Sequence, residues 1–303
     1  MRIGVTGASG FIGRALITAL VERGDDVTTF VRPGGSSVTG PVVRWDPPRG
    51  LVDEGDLRLA GGFDGVVHLA GAGIADKRWS RERKNEILRS RIDSTSLLVS
   101  ALGSMSGGAT FLASGSAIGF YGSRGDQTLD ESSSRGDGFL ADVCVEWERS
   151  AQSIESTGTG LALLRTGIVM SRHGGALRKQ LPLFRMGLGG PLSNGSQWLS
   201  PISLRDEVRA ILWVLDHHLT GPVNLVAPQP VQNREFTKIL ANEIHRPAFL
   251  RVPAFALQIA LGDELATEAV LASQRVRPKY LEESSFKFDN PSSEAIISEA
   301  LTR

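Results

Sequence analysis

Three glycines at a spacing of three, Gly7, Gly10 and Gly13, lie in the run Gly7-Ala8-Ser9-Gly10-Phe11-Ile12-Gly13. An apolar, β-prone segment (Arg2 to Thr6) precedes them and a helical one (Arg14 to Arg23) follows. A strand, a turn lacking Cβ atoms and a helix N-terminus together make a phosphate cradle, because backbone N–H groups and the positive end of the helix dipole can then approach a pyrophosphate. Gly7 supplies the tight turn, Gly10 the close approach and Gly13 the room for helix to pack on strand. The spacing alone is a weak signal, since turns are glycine-rich for ordinary reasons; its position directly after a strand points to a dinucleotide.

The end of the second strand discriminates between dinucleotides. An acidic residue there binds the adenosine ribose and repels a 2′-phosphate, whereas an arginine accepts the phosphate. Here the strand runs out as Phe30-Val31-Arg32, with no acid, so NADP(H) is expected in preference to NAD(H). Arg32 as a solvated loop cation is the alternative. Asp46, after the third strand, would either accept from the adenine amino group or start the Asp-Pro-Pro turn.

These residues need a scaffold, and its period is legible. Asp26 to Val31, Val42 to Trp45, Gly65 to Leu69, Ala109 to Ala113 and Leu161 to Arg165 read as strands, alternating with helices that include Trp79 to Leu102 and Phe139 to Ser156. Alternation of this kind implies parallel pairing with right-handed crossovers: an α/β fold with a Rossmann-like doubly wound parallel sheet, whose ligands sit beyond the strands' carboxyl ends. Residues 1–170 are assigned to this domain, with sheet completion to about 230, and 171–303 to a smaller, mostly helical lobe. Helices at Arg205 to His217, Arg234 to Glu243 and Asp263 to Ser273 are expected there, separated by Gly-Pro, Ala-Pro and Arg-Pro breaks. That lobe would either enclose a substrate or simply complete the core. Gly34 to Ser37 and Ser132 to Gly138 read as loops, too short for domain linkers.

The chain has 303 residues, 41% hydrophobic and 22% charged, with 33 basic and 33 acidic side chains. A net charge of zero provides no global field for nucleic acid or an anionic membrane. The single cysteine, Cys144, excludes an intramolecular disulfide framework and a cysteine-based zinc site. No charged n-region with an apolar h-region opens the sequence, and no apolar run approaches a bilayer span, so the expected compartment is cytoplasmic. The five histidines show no metal-binding spacing, and His68, inside an apolar strand, reads as a satisfied core residue. There is neither a G-x-S-x-G elbow nor the G-K-[ST] ending of a P-loop.

Longer motifs add specificity. Thr6 to Gly13 (TGASGFIG), His68 to Gly71 (HLAG), Arg78-Trp79 with Ser90-Arg91 and Thr95, Ser114 to Gly122 (SGSAIGFYG), Gly136 to Glu148 and Leu164 to Val169 (LRTGIV) lie in the first part of the chain; Gly187 to Pro191, Gly221 to Leu225 and Ala272 to Pro278 follow. With these, the chain resembles the extended short-chain dehydrogenase/reductase superfamily over nearly its whole length, specifically the atypical YfcH-like epimerase branch with a C-terminal DUF1731-type domain. The resemblance implies NADP(H) lying over Gly7, Ser9, Gly10, Phe11, Ile12 and Gly13, beside Leu69, Ala70 and Gly71. Its 2′-phosphate would meet Arg32, its adenine Asp46, and its nicotinamide Ser114, Ser116 and the Thr166-Gly167 turn.

The superfamily moves the hydroxyl proton with Tyr-x-x-x-Lys, one helical turn in length, the ammonium lowering the phenol's pKa. The two tyrosines here, Tyr121 and Tyr280, are followed four residues on by Gly125 and Ser284. Matching Glu148 to the superfamily's acidic residue puts Leu140 and Cys144 at the relay positions. Leu140 carries no proton; Cys144 would ionise or be core. The remaining candidates are Ser116, polarising a substrate or capping a loop, and Tyr121, donating a proton or anchoring a turn. Arg91 would favour an anionic substrate, or belong to a solvated basic face with Arg78, Arg81, Arg83, Lys84 and Arg89. The expected activity is that of an oxidoreductase or nucleoside-diphosphate-sugar epimerase-like protein on a small polar substrate; the rival is a catalytically silent NADP(H)-binding sensor or scaffold. A homodimer is compatible with either.

Overall fold

The computed structural model describes residues 1–35, 39–105 and 107–302. Eight strands form one sheet: β1 (Arg2–Thr6), β2 (Asp26–Val31), β3 (Val42–Asp46), β4 (Leu51–Val52), β5 (Gly65–His68), β6 (Phe111–Ala117), β7 (Gly160–Thr166) and β8 (Gly221–Leu225). Their spatial order is β8-β7-β6-β5-β1-β2-β3-β4. All neighbours run parallel except β4, which returns antiparallel on β3 with Trp45 opposite Val52. The chain builds outward from β1 in one direction through β3 and in the other from β5 to β8, so the strand order reverses between β1 and β5. In doubly wound sheets that switch point opens the ligand crevice.

Helices cover both faces, with α2 (Glu54–Ala60) beside β3 and α5 (Gly175–Arg185) in the C-terminal part. α1 (Phe11–Arg23) and α6 (Leu204–Asp216) bury Leu16, Leu20 and Ile211 against Ile3, Val5, Ala162 and Leu164. On the opposite face α3 (Arg81–Ser104) places Leu98 and Leu102 with Phe30, Val66, Leu112 and Leu163, while α4 (Phe139–Gln152) packs beside α3. A parallel sheet covered twice must be apolar on both faces, which is why its strands read as continuous hydrophobic runs. α1 stops at Gly24, whose left-handed backbone (φ 85°) closes the last turn.

The C-terminal part has its own core, in which Met170, Leu177, Leu181, Phe236, Leu240, Ile296 and Ile297 are buried. It is tied back to the sheet domain by short pairings: Ile168–Met170 with Pro201–Ser203, and Thr128–Leu129 with Arg275–Val276. Residues 221–225 pair with β7 in the main sheet although they follow α6 in the chain.

Several expected bounds shift. β6 begins later and runs four residues further than its apolar core suggests, so Ser114 and Ser116 are strand residues paired with Leu163 and Arg165, not loop residues. Their hydroxyls are small enough to be buried in a central strand. α1 starts at Phe11, ahead of Arg14, because the glycine turn leads straight into it. The helix expected from Asp263 to Ser273 becomes a short helix, Asp263–Leu265, and a wider π-type turn, Ala266–Val270. β4, the short helix Glu54–Ala60 and the apolar helix Ala254–Leu261 carry no period that sequence reading detects. The expected loop Gly34 to Ser37 lies partly outside the described residues, at Ser36 and Ser37.

Candidate functional site

The glycine turn lies beyond β1, at the switch point. Gly7 has φ 67°, and a Cβ there would stand 2.7 Å from the Leu69 carbonyl. A Cβ on Gly13 would collide with the Gly7 carbonyl oxygen, and the Gly10 amide donates to that same oxygen at 2.9 Å. Gly7 and Gly13 therefore exclude a side chain, whereas a Cβ on Gly10 would make a tight 3.0 Å contact with the Gly7 oxygen. The N-terminus of α1 has no side-chain cap and no acidic residue in its first turn. Its first amides and its dipole thus present an uncompensated positive end to an anion. Ser9 is exposed, whereas Phe11 is half-buried with its ring under Gly174 and Gly175.

The opposite wall of the crevice, Leu69 to Gly71, is held by a buried chain of hydrogen bonds. The Leu69 and Ala70 amides donate to the Thr6 hydroxyl oxygen at 3.1 and 3.3 Å. Thr6 Oγ1 lies 2.7 Å from His68 Nδ1, and His68 Nε2 lies 2.9 Å from Thr95 Oγ1, which donates to the Arg91 carbonyl. This network assigns the proton to Nε2: Thr6 donates to Nδ1 and Nε2–H donates to Thr95. Burial pushes His68 down to about 3, so the ring stays neutral and structural. Arg91 donates to the Ala72 and Ile87 carbonyls at 3.0 Å and stacks over Trp147. Arg83 is buried, bonded to the Gly73 carbonyl and to Glu86. These two arginines pin the loop after β5, while Arg81 and Arg89 form the exposed basic face.

Arg32 follows β2 exposed, with no ion pair to any described residue. Asp46 is the last residue of β3, stands immediately before the turn Pro47–Arg49 and lies 3.6 Å from Arg49 Nε.

Over the longest stretch, residues 3–226, the chain matches the NAD dependent epimerase/dehydratase family. The chain belongs to this family. Residues 252–300 match the domain of unknown function DUF1731. The epimerase family protein Mb2239 of Mycobacterium bovis is 39% identical over 302 residues, covering 99% of this chain and 98% of that protein. The chloroplastic SDR39U1 homolog of Arabidopsis thaliana is 36% identical, over 95% of this chain and 83% of its own. Among solved structures, human epimerase family protein SDR39U1 (isoform 2) with NADPH superposes with a TM-score of 0.87 at 29% identity, covering 100% of both chains.

In this member of the epimerase family the carboxyl ends of β6, β7 and β8 carry a buried polar network. Glu148 of α4 accepts from Ser116 Oγ at 2.7 Å and pairs with Arg165 through two 2.9 Å bonds. Arg165 also donates to the Tyr121 hydroxyl at 3.0 Å, and Tyr121 donates to Asn224 Oδ1 at 2.7 Å. Tyr121 is fully buried with both bonding directions of its hydroxyl in use, and burial pushes its phenol up to about 12. The expected proton donor is therefore an anchor of the core. Ser116, expected as a loop hydroxyl, already donates its proton to Glu148. Ser114 is fully buried with its hydroxyl unpartnered among the described residues.

Leu140 and Cys144 both face the turn Ile118–Tyr121, where a Cβ on Gly119 would stand 3.5 Å from Leu140 Cβ and 3.6 Å from Cys144 Sγ. Burial pushes the Cys144 thiol up to about 11, and its sulfur contacts the Ala117 carbonyl. It is core, not a thiolate. The half-buried Thr166 ends β7 and donates to Glu207 Oε1 at 2.9 Å.

Sequence reading does not single out Arg165, Asn224 or Glu207, and uses Glu148 only to place the relay positions. A guanidinium inside the apolar strand LALLRT and a carboxylate in the apolar helix VCVEWE carry a readable signal, since each needs a partner. Glu207, in the first turn of α6, looks instead like an ordinary acid favouring a helix N-terminus.

Proposed function

We propose that this protein binds NADP(H) and acts as an oxidoreductase or sugar-nucleotide epimerase-like enzyme on a small polar substrate, without the Tyr-x-x-x-Lys relay. The observation that carries the cofactor is the glycine turn. Its Cβ-excluding contacts at Gly7 and Gly13 and the uncapped, acid-free start of α1 fit a pyrophosphate at the point where the strand order reverses. Gly7, Ser9, Gly10, Phe11, Ile12 and Gly13 would hold it through backbone amides. The Arg32 guanidinium, without an ion pair among the described residues, suits a 2′-phosphate, and the NADPH bound by human SDR39U1 supports the same choice. Leu69, Ala70 and Gly71 would line the facing wall; Asp46 would accept from the adenine amino group; Ser114, in β6 level with the end of β5, and Thr166, the last residue of β7, would meet the nicotinamide end. When bound, NADP(H) supplies hydride transfer. Residues 171–303 form the substrate lobe in this reading, apart from β8, which belongs to the sheet.

A second reading, a catalytically silent NADP(H) sensor or scaffold, is favoured by one specific observation. Tyr121, Leu140 and Cys144 offer no side chain able to move a proton near neutral pH. Purified protein incubated with NADPH and a panel of carbonyl compounds and sugar nucleotides separates the two. Turnover of any panel member, by loss of NADPH absorbance or by epimer analysis, is expected for the enzyme. Stoichiometric binding with neither across the panel establishes the sensor.

A further inference from the structure

Glu207 is a buried carboxyl beside the carboxyl end of β7 that takes no part in the cofactor cradle or in the Glu148–Arg165 network. It is fully enclosed, its Oε1 accepts from Thr166, and its Oε2 has no partner among the described residues. No cation lies within ion-pair distance among those residues. A carboxyl group held this way is costly to the fold, and an apolar side chain of the same size would stabilise it better. Its neighbour shows what a structural acid looks like here. Asp206 accepts from the Asp289 and Asn290 amides and pairs with Arg209, and its amide is capped by Ser203. Helix α6 is thus already started and tied down without Glu207.

What Glu207 does is fix one proton. Thr166 is the last residue of β7, and the turn after it is rigid: the Gly167 amide donates to the Leu225 carbonyl, and a Cβ on Gly167 would stand 2.5 Å from the Ser200 carbonyl oxygen. With its O–H committed to Glu207, the Thr166 hydroxyl can only accept from other groups. We propose that Glu207 is a positioning residue which, by holding the Thr166 proton, turns that hydroxyl into an acceptor for the carboxamide N–H of the nicotinamide. The inference rests on the cofactor reading above and adds the group that orients its reactive end.

Adenosine 2′,5′-bisphosphate, which lacks the nicotinamide, separates this claim from the one beneath it. Dissociation constants for NADPH and for the bisphosphate are measured calorimetrically on the full chain and on Thr166→Val, Thr166→Ser, Glu207→Gln, Glu207→Leu and the double variant Thr166→Val with Glu207→Leu. Loss of one neutral hydrogen bond predicts NADPH binding weakened about fivefold to tenfold in Thr166→Val, with the bisphosphate unchanged. Thr166→Ser and Glu207→Gln, which keep the hydroxyl and the acceptor oxygen, retain wild-type affinity for both ligands. Glu207→Leu weakens NADPH like Thr166→Val, and the double variant is no weaker than either single one. The proposal is overturned if Thr166→Val leaves NADPH affinity unchanged, if both ligands weaken together, or if the two losses add. Should Glu207→Leu not fold, the Thr166 pair and Glu207→Gln still decide. Failure of the wild-type chain to bind the bisphosphate overturns the cofactor reading, and this inference with it.

Discussion

At the scale of single residues, two buried titratable groups set opposing limbs of the stability curve. His68 is pushed down from 6.5 to about 3; between those values the unfolded chain holds the extra proton, so stability rises with pH up to about 6.5. Glu207 is pushed up from 4.5 to about 8 by burial. Its contribution is fully present below 4.5 and is lost as pH climbs to 8, because there the folded chain holds the extra proton. The two nearly cancel from 4.5 to 6.5, leaving Glu207 alone to act from 6.5 to 8. The melting temperature of the ligand-free protein is therefore expected to fall over that window, and Glu207→Gln to flatten it; an unchanged slope in the variant contradicts the assignment. Neither group announces its weight in the sequence. His68 is legible as a core histidine because apolar residues flank it, but its bonds to Thr6 and Thr95 join segments 62 and 27 residues away. Glu207 is indistinguishable in sequence from a helix-start acid.

At the scale of elements, the Glu148–Arg165 pair ties α4 to β7, and Tyr121 and Asn224 extend it to β8. Both charged partners are buried, with side chains 7% and 5% exposed. Removing one charge leaves the other unpaired in the core, so Glu148→Ala is expected to cost about 3–5 kcal/mol in urea unfolding. Tyr121→Phe leaves Asn224 Oδ1 and one Arg165 N–H unmet while Arg165 keeps both bonds to Glu148, at about 1–3 kcal/mol, and is expected to leave NADPH affinity unaltered. A Tyr121→Phe variant with wild-type stability but lost NADPH binding or turnover restores the phenol to the active site. The strands and most helices were readable because a doubly covered sheet imposes apolar runs and the helices a 3.6-residue period. The carboxyl end of β6 was not, because Ser114-Gly115-Ser116 imitates a loop, and only pairing with Leu163 and Arg165 makes it strand. The helix Ala254–Leu261 escaped for the opposite reason: it is apolar all round, and Phe255 and Ile259 stand 64% and 70% exposed.

For the whole molecule, the lobes are interleaved, not strung in series. The chain leaves the main sheet after β7, starts the second core, returns as β8 and leaves again; its last third then reaches back, Glu268 accepting from the Leu140 amide at the start of α4 and Glu264 pairing with Lys84 of α3. Among the described residues no helix is long and apolar enough to cross a membrane. With 33 positive and 33 negative side chains, no net field draws a polyanionic cofactor in, so discrimination between phosphorylated and plain coenzyme would be local, and the place proposed for it is Arg32. Titration of the wild-type protein and Arg32→Ala with NADPH and NADH tests this most directly. NADPH is expected to bind more tightly than NADH, and Arg32→Ala to weaken NADPH about tenfold to a hundredfold while leaving NADH unchanged. Tighter binding of NADH by the wild-type chain, or no binding of either, contradicts the account.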